Sequence, residues 1–128
     1  MKDGISGISL TASLVPAVVS ATTKGTEVDL QGFNSATVVV NTGAIAGDGL
    51  YAMSVQESDT TTDGDFTDVA AADLLGAFPA GLEASSVYKV GYKGSKRYIR
   101  AVITKTSGTS IAAGAVIALG HPHDAPVV

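Results

Sequence analysis

The sequence predicts an all-β protein: a single-domain antiparallel sandwich or barrel of about seven to eight short strands. Three observations predict it. Apolar and polar residues alternate with a period of two through most of the chain, the mark of strands with one dry and one wet face. Gly, Ser, Asn, Asp and Thr cluster between those stretches, where turns are needed. The 128 residues are 45% apolar and only 16% charged, with 15 glycines. That suits one domain with a real core and many turns, and is too apolar for a disordered chain.

From the N-terminus, residues 1–13 carry Gly, Ser and Thr without periodicity and read as a flexible or partner-ordered arm. Residues 14–120 are the expected β domain. Within it, residues 14–22 and 27–30 read as a first strand pair joined around Lys24 and Gly25. Residues 31–34 (Gln-Gly-Phe-Asn) form a turn cluster. Residues 36–41 (ATVVVN) are a dense β-branched run and the clearest strand. Residues 42–49 carry three glycines and an Asp and read as a loop. Residues 50–57 alternate cleanly, residues 58–65 close a polar hairpin tip, and residues 66–69 read as its return strand. Residues 70–76 suit a helical turn stopped by Gly76. Residues 86–93 and 96–104 read as a hairpin around Gly94 and Ser95, and residues 111–119 as the last strand. Residues 121–128 are an expected tail, because Pro122 and Pro126 exclude it from a sheet interior.

The 86–104 segment is the richest in binding chemistry. It holds five of the eight basic residues and three of the four tyrosines. Alternation puts Tyr88, Val90 and Tyr92 with Ile99, Ala101 and Ile103 on the dry face. The wet face then carries Lys89, Tyr98 and Arg100, with Lys93 and Lys96 beside the turn. Tyr and Arg anchor interfaces more often than most residues. The candidate interface is therefore Lys89, Tyr92, Lys93 and Lys96 together with Arg97, Tyr98 and Arg100; an ordinary basic hairpin with core tyrosines is the competing reading.

Charge is unevenly spread. Residues 57–73 hold six of the twelve acids and no base, and residues 89–105 hold six of the eight bases and no acid. Two hairpins pairing within one fold explain this more simply than complementary patches on neighbouring subunits. The net charge of −4 argues against a general attraction to nucleic acid.

Catalytic and metal chemistry find little purchase. Residues 59–65 gather three carboxylates around Gly64 but lack the closing Glu of an EF-hand, and read as a solvated tip. His121, His123 and Asp124 are metal-ligand types, yet no fourth His or Cys completes a zinc set. With no cysteine there are no disulfides. No serine-centred motif or phosphate-binding glycine loop is present. The expectation is a non-enzyme with no cofactor. The apolar run 14–19 is too short for a secretion signal and holds Pro16, and no run is long enough to span a bilayer.

Three stretches carry a family resemblance: TVVVNTG at 37–43, VQESDTTTDGDFTDV at 55–69, and GYKGSKRYIRAVI at 91–103. With them the chain resembles the small decoration (cement) proteins of tailed-bacteriophage capsids. The resemblance implies a β protein that sits on the capsid exterior of a virion assembled in the host cytoplasm. It implies the major capsid protein as partner and a homo-oligomer, a trimer foremost, with neither nucleic acid nor membrane bound. A phage tail or neck component, or a surface-binding β-module, is the alternative.

Overall fold

The computed structural model describes residues 5–122, and in it ten strands form two antiparallel sheets in a single small domain. In chain order they are β1 (Ser9–Val19), β2 (Thr23–Lys24), β3 (Val28–Asp29), β4 (Phe33–Ala46) and β5 (Tyr51–Ser58), then β6 (Thr67–Asp68), β7 (Leu74–Leu75), β8 (Val87–Tyr92), β9 (Tyr98–Lys105) and β10 (Ser110–Pro122). The first sheet has the order β1-β10-β4-β8-β7. The second has β2-β9-β5-β6, with β3 also pairing β9. The strand number exceeds expectation because four of the ten strands span two residues each, too short to show a period.

The core lies between the sheets, as alternation requires. Val38, Val40, Ala115, Ile111 and Ile117 of the first sheet meet Tyr51, Met53, Val55, Ile99 and Ile103 of the second. Each inward residue alternates with an outward one along its strand.

Several elements differ from the expected plan. Residues 14–22 and 27–30 do not pair. β1 lies in the first sheet against β10, while β2 and β3 run along β9 in the second. β1 begins at Ser9, so residues 9–13 belong to the sheet and not to an arm. The expected 42–49 loop is strand as far as Ala46, because it pairs with β10, Thr42 opposite Ala113, Ile45 opposite Ile111 and Ala46 opposite Ser110. β10 continues to Pro122, opposite Phe33, where the proline ends the ladder without interrupting it. The helical turn is a single 3-10 turn, Ala71–Asp73, followed by β7 and by Gly76 at positive φ. Residues 123–128, with His123 and Asp124, lie outside the described residues, as do 1–4 of the expected arm.

The 86–104 segment is not a hairpin. β8 pairs with β4 and β7 in the first sheet, and β9 pairs with β5 in the second. Residues 93–97 are the connection that crosses between them. A Gly-Ser turn between alternating runs serves either geometry, and pairing with distant strands decides.

β1 also ties the sheets together. Its register slips between Ala12 and Leu14, leaving Ser13 as the extra residue of a bulge. Ser13 is buried and faces the second sheet. Its hydroxyl accepts from the Ala101 amide at 2.9 Å and donates to the Thr26 carbonyl at 2.9 Å. Gly25 lets the chains approach this closely, since a Cβ there would lie 2.5 Å from Ser13 Oγ and 2.6 Å from the Ala101 carbonyl.

Candidate functional site

The crossing segment 93–97 folds over Tyr92 and opens a cleft of ≈ 620 Å³ at one end of the sandwich. Tyr92 is its floor. The buried phenol donates to Glu57 Oε1 at 2.7 Å and accepts the Lys96 amide at 3.1 Å. Burial, and then the Glu57 carboxylate, hold the phenol well above its usual range, so it stays a neutral donor. Gly94 passes so close over the ring that a Cβ would meet the phenol oxygen at 2.5 Å. The other wall comes from the 30–36 turn, with Leu30, Phe33 and Asn34, and Leu75 closes the side.

Of the seven sequence-predicted residues, Tyr92, Lys93, Lys96 and Arg97 come together here. Lys96 Nζ is 3.0 Å from Asp59 Oδ2. Arg97 forks onto Asp29, Nε to Oδ1 at 3.0 Å and Nη2 to Oδ2 at 2.9 Å, the planar match that guanidinium and carboxylate prefer. These cations hold Asp59 and Asp29 below the usual carboxylate range. Lys93 is exposed at the rim and makes no ion pair among the described residues.

Lys89, Tyr98 and Arg100 do not join them. Lys89 is exposed on the outer face of the first sheet, opposite Val39. Tyr98 is half-buried beside the cleft, its ring under the Arg97 guanidinium at 5.1 Å. Arg100 overturns its expected place on a wet face, being only 5% exposed. Phe66 covers it at 4.1 Å from the ring centroid, Gln56 Oε1 accepts from its Nε and Nη2, and Asp63 Oδ1 lies 2.7 Å from its Nη1. Period two placed Arg100 on the outer side correctly. What it could not show is the cover laid over that side by the 58–66 connection.

The acidic and basic segments pair within the fold. Asp59 meets Lys96, and Asp63 bridges Arg100 and Lys24, which pull its pKa down in that order. Asp63 and Asp65 begin and end a 3-10 turn, Asp63–Asp65, and Asp65 accepts from Thr60. Among the described residues no three His, Cys, Asp or Glu side chains form a metal-ligand group. His121 Nδ1 is 2.9 Å from Ser35 Oγ. Sequence reasoning missed the apolar wall of the cleft; Phe33 inside a turn cluster was the available signal.

No family model and no curated protein matches the chain. The fold is similar to that of the SPBc2 prophage-derived protein YomS, with a TM-score of 0.53 and 10% identity over 88% of this chain and 93% of that one. PirA superposes with a TM-score of 0.48 and 13% identity over 87% of this chain and 95% of that one. A chain of infectious bursal disease virus Gx strain gives 0.44 and 13% over 93% and 34%. At 10% identity the likeness to the prophage-derived protein is one of fold alone.

Proposed function

We propose that this protein is a non-enzymatic structural component of a phage particle, a decoration protein that attaches to the capsid exterior across major capsid subunits. The observation that carries the reading is the cleft. Lys93, Lys96 and Arg97 surround a concave surface floored by Tyr92 and walled by Leu30, Phe33 and Leu75. A buried aromatic floor, cations at the rim and apolar anchors in one depression make the composition of an interface centre. Lys96 and Arg97 are already paired with Asp59 and Asp29, so the occupant it fits is a segment with an apolar side chain and one carboxylate for Lys93, offered by an assembled shell. Support also comes from the similarity in fold to a prophage-derived protein and from the resemblance of the three sequence stretches. Binding the assembled lattice in preference to free subunits would stabilise it by mass action.

The test is co-sedimentation with shells assembled from the major capsid protein. Replacing Lys93→Glu together with Arg97→Ala is expected to weaken binding at least about tenfold, or ~1.4 kcal/mol, with an unchanged circular dichroism spectrum. A folded double variant that decorates shells as well as the wild type would end this reading. Binding to tail or neck assemblies and not to shells would move the attachment point.

A further inference from the structure

The outer faces of the two sheets differ in chemistry. The second sheet turns Lys24, Gln56, Asp68 and Arg100 outward and covers part of that side with Phe66. The first sheet turns outward Leu10 and Val18 on β1, Val116 on β10, Val39 on β4 and Val87 on β8. Leu10, Val18 and Val87 are 68%, 71% and 68% exposed. Between them stand Ala112 and Ala118 of β10, both small, and Gly114, over which Pro16 of β1 packs. Thr37 and Asn41 of β4 are polar on this face, and Lys89, opposite Val39, is its charged side chain among the described residues. A solvated antiparallel sheet normally alternates apolar-in with polar-out. β10 instead reads as a continuous apolar run from Ile111 to Leu119, the pattern of a strand covered on both sides. No element of the described residues lies over this face.

The exposed edge of the same sheet is protected in a way that the face is not. β1 carries Pro16 and two register slips, one at Ser13 and one between Leu14 and Ala17. Bulges and proline are the usual guards against strand addition at an edge. The face has no such guard.

We propose that the outer face of the first sheet packs against the same face of a second copy of this chain, about a two-fold axis. A two-fold contact requires a patch complementary to itself. A surface of mostly small and branched apolar side chains, with its one charge at the rim among the described residues, meets that condition, and stacked sheets pack about 10 Å apart. Lys89 lies on β8, at the rim of a pair centred on β10, where its amine reaches water. The area is sufficient in scale. Strands about 4.8 Å apart, with about nine residues of ~3.4 Å from each of β1, β10 and β4 and the six of β8, give roughly 540 Å², so two copies together reach the ~1,000 Å² that a specific interface clears. The proposal does not depend on capsid attachment, because it concerns the isolated protein.

Sedimentation equilibrium of the purified full chain tests it. The wild type is expected at twice the 12.8 kDa chain mass, with a melting temperature that rises with concentration, as dissociation linked to unfolding requires. Val116→Lys and Val39→Lys, made separately, should each raise the dissociation constant at least about 100-fold, or ~2.7 kcal/mol, with secondary structure intact. Ser54→Lys, on the outer side of the second sheet, should leave the dimer unchanged. Should both lysine variants misfold, the concentration dependence of wild-type melting still decides. A wild type that stays monomeric overturns the proposal, as does a dimer that both folded variants leave intact. A mass three times that of the chain replaces the pair with a ring. A monomer whose lysine variants lose shell binding assigns the face to the shell.

Discussion

Arg97 and Arg100 stand three residues apart and do different work. Arg97 is near half exposed, and its fork onto Asp29 is open to water, so such a pair adds little to stability. Arg100 is sealed under Phe66 with Gln56 and Asp63 around its guanidinium. Arg100→Ala is expected to cost about 2 kcal/mol in urea unfolding, from the lost ring contact and charged hydrogen bonds. Arg97→Ala should cost little stability, as an open surface pair does, yet weaken shell binding more. Equal losses of stability in the two variants would contradict this division. The core side of the segment was legible: Val90, Tyr92, Ile99, Ala101 and Ile103 are buried as their alternation predicts. The burial of Arg100 was not, because its cover comes from residues more than 30 positions earlier and strand periodicity carries no information about them.

Among the elements, β1 has the largest consequence for how the sandwich closes. Ser13 satisfies an amide of β9 and a carbonyl beside β2 at once, so the two sheets are joined by hydrogen bonds as well as by packing. Gly25→Ala should destabilise the domain by about 1–3 kcal/mol, the cost of forcing volume into a filled contact. Ser13→Ala should do the same on a similar scale by stranding the Ala101 amide. Thermal unfolding of both variants checks this, and a melting temperature unchanged in either would show that the joint carries no load. Removing residues 1–8 and removing 1–13 are therefore different experiments, since only the second deletes this joint. β4, β5 and β10 were legible from branched residues and alternation. The assignment of β8 and β9 to different sheets was not, because local sequence specifies a turn without saying which strands its ends will pair with.

At the scale of the molecule, the carboxylates give a defined acid response. Arg97 depresses Asp29, Lys96 depresses Asp59, and Arg100 with Lys24 depresses Asp63. A carboxylate whose folded pKa lies below its unfolded value near ~3.9 contributes stability above that value and loses it as pH falls through the folded one. Stability should therefore be level from neutral pH to about 5 and fall below about 4. The triple variant Asp29→Asn, Asp59→Asn, Asp63→Asn should flatten the fall, and an unchanged acid limb would show that other groups govern it. The order of strands sets a different constraint, one on biosynthesis. β10, the last strand of the described chain, lies between β1 and β4. Until it leaves the ribosome, two valine-rich segments more than a dozen residues apart in sequence have no neighbour to share. At roughly 5–20 residues per second they wait several seconds in that state, a window in which a holdase would find its client.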